Sequence, residues 1–249
     1  MSEDLVSVIM PVYNAAATLE KSVASVLAQS HRCLELLAVD DGSRDDSPVL
    51  LGRLAAGDAR VRALHMPVNG GVAAARNLGL AAARGRYVAF LDSDDTWLPH
   101  KLSRQLETMR EHGARVSYTA YDRVAEDGRL LSRVRPPAEV DYRAMLKSNR
   151  IGNLTGVYER ALGELRFQRV GHEDYVFWLE AVRRAGRAIC VDPGEPLARY
   201  LVREGSVSSN KLKAAGWQWR IYRDIERLGL GASIGYMAHY VVNALRKRA

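Results

Sequence analysis

Tyr87-Val88-Ala89-Phe90-Leu91-Asp92-Ser93-Asp94-Asp95 is the stretch on which the reading of this chain turns. Five apolar or aromatic residues run unbroken into three carboxylates within four positions. The first half is short, aromatic and β-branched, which predicts a buried strand rather than a helix. The second half falls where that strand leaves the core. Asp92 and Asp94, two positions apart, project to the same side of an extended chain, with Asp95 turned away. Like charges held so close repel, and burying them unpaired is costly. A divalent cation with hard oxygen ligands relieves both effects. The alternative is a helix cap, with Asp95 or Thr96 capping a helix that begins near Pro99. A cap needs one carboxylate and three are present, so the pattern favours the metal.

Upstream, the same arrangement recurs. Residues 5–10 predict a strand ended by Pro11-Val12-Tyr13-Asn14, and residues 34–39 a strand ended by Asp40-Asp41-Gly42-Ser43. Leu19, Val23, Val26 and Leu27 give helical spacing over 15–28, and residues 48–56 predict a second helix. A strand at 61–65 follows, then Asn69-Gly70-Gly71 opening an Ala-rich helix at 72–83. Four strands alternating with helices predict a parallel sheet with crossover helices. In such a sheet the ends at Tyr13-Asn14, Asp40-Asp41 and Asp92-Ser93-Asp94 lie along one edge, where open α/β folds bind ligands.

Past Pro99 a helix is predicted to about residue 110, and the alternation is then lost. Residues 116–134 have strand character around an Asp127-Gly128 hairpin turn. A short helix at 141–146 and strands at 154–158, 188–191 and 197–202 make this half mixed or antiparallel. A helix at 173–184 follows Val170-Gly171-His172. Gly205 to Asn210 has loop composition. Helices at 213–228 and 232–247 close the chain.

Composition is that of a soluble globular protein, 47% hydrophobic and 26% charged, long enough at 249 residues for one large or two small domains. Cys33 and Cys190 follow no metal or redox spacing and fit a reducing, cytoplasmic compartment. The apolar run after the acidic N-terminus is too short for a signal peptide. From Lys211 onward eight Lys or Arg face two acids, which is +6 of the formal +7. A basic tail on a neutral body points to an anionic partner, a membrane surface before a nucleic acid. Four neighbouring carboxylates at the sheet edge disfavour nucleic acid, and no nucleic-acid motif is present. A dinucleotide oxidoreductase is disfavoured because Pro11-Val12-Tyr13-Asn14 replaces a Gly-rich phosphate turn.

With these residues placed, the chain resembles the family 2 glycosyltransferases of GT-A fold. The resemblance rests on residues 6–14, Val39-Asp40-Asp41-Gly42-Ser43, Asn69-Gly70-Gly71 through Ala75-Arg76-Asn77, residues 90–95 and His172-Glu173-Asp174, in the family's order. Gly205 to Lys211 and Trp217-Gln218-Trp219 are similar to bacterial members that build O-antigen, capsule or teichuronic-type polysaccharides. The family implies an inverting transfer of a sugar, glucose or galactose here, from a UDP-sugar to a lipid-linked saccharide carried on undecaprenyl diphosphate. A non-catalytic nucleotide-sugar-binding or scaffolding protein on the same fold is the alternative. Three parts are implied: residues 1–98 as a Rossmann-like nucleotide-sugar half with a mostly parallel sheet, 99–210 as an acceptor half with the base, and 211–249 as C-terminal helices.

Carried over to this sequence, the resemblance puts Pro11, Val12 and Tyr13 at the base and ribose, and Asp41 on the uracil imide. Arg76, Asp92 and Ser93 fall at the donor. Asp94, helped by Asp95, would hold Mn²⁺ or Mg²⁺ on the diphosphate. Asp174 is the implied base, with Glu173 or His172 orienting the acceptor, since adjacent residues are expected not both to point into the cleft and so to divide their duties. The chemistry agrees, because a cation that stabilises the leaving diphosphate removes the need for a protonated acid. One base remains to be supplied, about eighty residues downstream of Asp94. An acid at a helix start is also explained by the macrodipole alone.

Ser206, Ser208 and Lys211, with Arg203, are candidates for a lid over the diphosphate; a mobile surface loop is the equal alternative. In the subgroup an Arg commonly follows the Tyr at position 200, where this chain has Leu201, and Arg203 is the candidate replacement. Trp217 and Trp219 cannot share a helix face, so one is expected in the core and the other at the acceptor or a membrane. Asn14 is expected to cap the following helix, Asp40 to brace Gly42, and Gly70-Gly71 to approach phosphate or form a tight turn. Leu230, Ile234, Met237, Val241 and Leu245 form one apolar stripe, followed by Arg246-Lys247-Arg248. That stripe is expected either on the cytoplasmic leaflet of the inner membrane or against the catalytic body or a second subunit of a homodimer.

Overall fold

A computed structural model describes residues 4–203 and 211–246, with the side chains of 211–213 and 243–246 outside that description. Strands β1 (Val6–Val12), β2 (Leu34–Asp40), β3 (Val61–His65) and β4 (Tyr87–Phe90) alternate with helices α1 (Leu19–Leu27), α2 (Ser47–Gly57) and α3 (Val72–Ala82). They form the parallel run β3-β2-β1-β4. Every residue of β1 and β2 is buried, as expected of central strands covered by helices on both faces. The period of two sends Val6, Val8, Met10 and Val12 into one core with α1, and Ile9 into the other with Val88 and Phe90. Strand β1 continues through Pro11 instead of ending there. Pairing with β4 stops at Ile9, so beyond that point β1 has a free edge on which a proline costs no ladder bond.

The remaining elements are β5 (Thr96–Trp97), α4 (Lys101–Glu111), β6 (Val116–Tyr118), β7 (Ala120–Val124), β8 (Leu130–Val134), β9 (Glu139–Asp141) and α5 (Tyr142–Lys147). They are followed by β10 (Val157–Glu159), α6 (Glu173–Ala185), β11 (Arg187–Cys190), β12 (Pro196–Leu201), α7 (Lys211–Arg220) and α8 (Leu230–Arg246). Strand β10 runs antiparallel between β4 and β6, and β11 and β9 complete an eight-stranded mixed sheet. A second sheet has the order β5-β12-β7-β8, its β7–β8 hairpin turning at Asp127-Gly128 with Gly128 at φ 85°. This half is mixed, as predicted.

Three expectations need correction. Asn153–Thr155 forms a 3-10 turn, so the strand predicted at 154–158 is only Val157–Glu159. The helix predicted at 213–228 is α7 running into a π-helical turn at Ile221–Ile225, whose Ile221 and Tyr222 are buried in the core. Helix α4 is preceded by His100 at its N-cap, so neither Asp95 nor Thr96 caps it.

At the N-terminal end of the sheet Glu35 acts as a clamp. It accepts from the Ser7 hydroxyl (2.6 Å), the Arg84 backbone N–H (2.8 Å) and Arg62 Nη1 (2.8 Å). Burial alone pushes this carboxyl up, but the Ser7, Arg84 and Arg62 donors outweigh it and hold it below its usual value of 4.5. A depressed carboxyl stabilises the fold above its unfolded value and loses that contribution as pH falls through the lower folded value. Glu35→Gln is therefore expected to cost about 1–3 kcal/mol at neutral pH. Urea unfolding at pH 7 and pH 3 checks this, because the gap between variant and wild type must shrink at the lower pH.

Candidate active site

Strands β1, β2 and β4 are adjacent and parallel, so their C-terminal ends meet. Past β1, Asn14 takes a left-handed φ of 48°, donating its N–H to Ser43 Oγ and accepting from the Arg44 N–H. It ties two loops together; the N-cap of α1 is Thr18. Asp40 accepts from the Ser43 N–H and so braces the turn at Gly42. Asp41, 3% exposed, accepts from the N–H groups of Gly70 (2.7 Å) and Gly71 (2.9 Å). That leaves these glycine amides in a tight turn, with Gly71 at φ 86° starting α3, rather than facing phosphate.

A cavity of 440 Å³ opens over this edge. Pro11, Val12, Tyr13, Asp41, Asp92, Ser93 and Asp94 all line it. Asn69, Gly71 and Val72 complete the wall. Of the proposed donor residues only Arg76 lies elsewhere, in an adjoining cavity of 1110 Å³ that shares Gly71, Val72 and Asp92 with the first. Arg76 is 4% exposed and bridges Asp92 (2.7 Å) and Glu173 (3.0 Å), with Phe167 under its guanidinium at 5.1 Å. It thereby joins α3, the end of β4 and the start of α6.

The acidic motif divides as expected but for another reason: β4 ends at Phe90, and the Asp95 N–H closing on the Asp92 carbonyl makes the motif a turn rather than extended chain. Asp92 and Asp94 line the 440 Å³ cavity, whereas Asp95 is 1% exposed and accepts from the Leu201 N–H of β12 at 2.9 Å. Burial, then the nearby Asp92, raises the Asp94 carboxyl, which Arg203 approaches at 3.5 Å. Asp95 is raised well above its ordinary value by burial and by both neighbours, and its Oδ2 has no partner among the described residues. Hard-oxygen, mutually repelling carboxylates suit a magnesium-like cation. Among the described residues no three acidic, imidazole or thiol groups converge on one point. Such a cation would be held by Asp94 together with diphosphate and water oxygens, a donor set that magnesium accepts.

The larger cavity carries the acids of α6. His172 takes a left-handed φ of 59° and turns the chain into the helix. Glu173 and Asp174 both line this cavity, so the expectation that neighbours split their directions is corrected. In a helical turn adjacent residues differ by about 100° instead of the 180° of a strand. Their partners differ. Glu173 is committed to Arg76, and its carboxyl is raised by burial and then by Asp174. Asp174 makes no hydrogen bond or ion pair among the described residues.

His172 and Trp217 meet edge to face at 5.4 Å, and His172 Nε2 is buried without a hydrogen-bond partner among the described residues. The Trp217 ring lies where a Cβ on Gly171 would stand, 1.9 Å from it, so only glycine fits there. Trp217 lines the cavity, and the fully buried member of its run is Gln218, so neither tryptophan is the core residue expected of one of them. Tyr200, singled out only for the residue that follows it, also lines it, as do Arg169, Arg220 and Asp224, which the sequence reading missed; these three sit in no motif, and only folding collects them. Ser206 and Ser208 lie outside the described residues, as does the Lys211 side chain.

Residues 7–165 match the family model described as Glycosyl transferase family 2. TuaG of Bacillus subtilis (strain 168), named as a teichuronic acid biosynthesis glycosyltransferase, is 40% identical over 247 residues, 98% of this chain and 97% of that one. The UDP-Glc:alpha-D-GlcNAc-diphosphoundecaprenol beta-1,3-glucosyltransferase WfgD of Escherichia coli is 35% identical over 250 residues, 100% of this chain and 97% of its own. The crystal structure of S. aureus TarS 1–349 in complex with UDP-GlcNAc superposes with a TM-score of 0.76 at 22% identity, covering 95% of this chain and 71% of that one. The mannosyltransferase PcManGT of Pyrobaculum calidifontis, in complex with GDP-Man and Mn²⁺, gives 0.67 at 17% identity, covering 97% and 75%. The structural matches give the fold, GT-A. By the family match and the full-length relatives together, this chain belongs to glycosyl transferase family 2.

Proposed function

We propose that the chain transfers a hexose, glucose or galactose, from a UDP-sugar to a hydroxyl of a saccharide linked to undecaprenyl diphosphate, with inversion at the anomeric carbon. The observation that carries this reading is the shared wall of the two cavities, at Gly71, Val72 and Asp92. A nucleotide in the smaller cavity would present its sugar to the larger one, where Asp174 waits. Residues 1–98 then serve as the donor half and 99–210 as the acceptor half.

In this mechanism Pro11, Val12 and Tyr13 hold the base and ribose, and Asp41 accepts the uracil N–H on a lone pair that the glycine amides leave free. Arg76 fixes Asp92 beside the donor sugar. The acceptor oxygen attacks the anomeric carbon from the face opposite the diphosphate, its proton passes to Asp174, and the bond to UDP breaks. A divalent cation, Mn²⁺ or Mg²⁺, held at Asp94 would neutralise the charge that develops on the diphosphate.

On α8, Leu230, Ile234 and Val241 of the predicted stripe are exposed while Met237 packs on the core. Among the described residues no helix is long and apolar enough to cross a membrane. We assign residues 211–249 to contact with the cytoplasmic face of the inner membrane, where the acceptor lipid lies. A homodimer contact would use the same stripe.

The test is UDP release from a panel of UDP-sugars, with and without GlcNAc-diphosphate lipid, in Mn²⁺ or Mg²⁺. Acceptor-dependent release from UDP-glucose or UDP-galactose is expected, with EDTA reducing it by about a hundredfold or more. Binding of UDP-sugars without release under any condition would favour the non-catalytic reading. Full activity in EDTA would remove the cation from the mechanism.

A further inference from the structure

A third cavity, of 760 Å³, lies away from the donor edge, near the start of β4. Its rim carries Arg84, Arg86, Arg160 and Arg166, and Tyr158 of β10 forms part of its wall. Arg86 is held by Asp4 and Glu159, and Arg166 by Glu164. Arg160 donates to the carbonyls of Ala83 and Arg84, which uses backbone oxygens and leaves its charge uncompensated. The Arg84 guanidinium is exposed and has no partner among the described residues. Tyr158 is 2% exposed, yet its hydroxyl has no hydrogen-bond partner among the described residues. Burial raises this phenol, with Arg160 opposing, so it stays protonated and offers a donor.

The Tyr158 hydroxyl opens into this cavity, whose rim also holds Glu164, already paired with Arg166, so the phenol is a donor free to take up an acceptor there. What would satisfy all these donors is an oxyanion. Guanidinium forks match tetrahedral phosphate oxygens, and phosphate offers enough acceptors for several donors at once. Leu80 and Leu165 add apolar wall, and the volume lies within the range of small-molecule sites. We infer that this cavity is a second ligand site, separate from the donor and acceptor cavities, that takes a phosphate ester through Arg84, Arg160 and the Tyr158 hydroxyl.

Helix α3 spans both places, since Arg76 faces the active site and its neighbour Asn77 lines this cavity. Asn77 also clamps Phe167 through the backbone, accepting its N–H and donating to its carbonyl, both at 2.8 Å. An occupant would therefore rest on the same helix and segment that position Arg76.

The site can be tested with the full chain in EDTA by isothermal titration with inorganic pyrophosphate. A parallel arm sediments the protein with phosphatidylglycerol vesicles against phosphatidylcholine vesicles. Arg84→Glu changes an exposed side chain and Tyr158→Phe keeps the ring, so both are expected to fold, with ligand-free Tm as the check. Pyrophosphate affinity is expected to fall about tenfold or more in each variant. Loss confined to the phosphatidylglycerol arm would also support the site and assign it to a lipid headgroup. If both probes bind the variants as they bind wild type, there is no such site. Neither arm reads glycosyl transfer, so the result stands apart from the proposed reaction.

Discussion

Asp174→Asn is expected to lower kcat for sugar transfer by about 10²–10⁴-fold, the range lost with a general base. The donor KM should hardly move, because Asp174 lines the larger cavity and not the one that takes the nucleotide. Asparagine keeps the size of the side chain but cannot accept a proton from the attacking hydroxyl. Stability should be unchanged, since Asp174 has no hydrogen bond or ion pair among the described residues to lose. Its neighbour provides the contrast. Glu173 is held by Arg76 at 3.0 Å, so Glu173→Gln should reduce stability and alter acceptor KM more than it alters kcat. Single-turnover measurements with a saturating lipid-linked acceptor separate the two. Transfer by Asp174→Asn within twofold of wild type would place the base elsewhere.

Arg76→Met should be the most damaging change to the fold around the site. The guanidinium is 4% exposed and neutralises Asp92 and Glu173 together. Methionine fills similar space over Phe167 but strands both carboxylates. Breaking a fully buried pair costs about 3–5 kcal/mol. Here Asp92 is 34% exposed and Glu173 23%, so water screens part of the repulsion and about 2–4 kcal/mol is expected. The Glu173 carboxyl, already raised by burial and Asp174, should rise further without its cation. A second change checks the cause. Arg76→Met with Glu173→Gln should recover part of the loss, because one stranded charge is then gone. Urea unfolding of the single and double variants reads this directly. Equal stability of Arg76→Met and wild type would mean the bridge does not hold the two halves together.

Two-residue periodicity predicts the sorting of Asp92 and Asp94 from Asp95; the acids do sort that way, but through the turn that follows β4. The same logic failed at Glu173 and Asp174, where the backbone is helical. At Gly70-Gly71 the sequence leaves phosphate approach and a tight turn open, and the structure decides for the turn, its amides taken by the buried Asp41 just after β2. No local rule reports that Asp41 would arrive there.

Local chemistry along the chain decided the four parallel strands, their polar C-terminal ends and the residues gathered over them. Apolar runs must be buried, and parallel crossovers bring successive strand ends to one edge. Tertiary structure alone decided that Arg76 ties Asp92 to Glu173, which lies 97 positions from Arg76 in sequence, and that Arg169 and Arg220 share a cavity with Asp174. It also decided that Tyr158 stands unpartnered among arginines. Such contacts depend on how helices seat against the sheet, a matter of packing between distant segments that no spacing along the chain encodes.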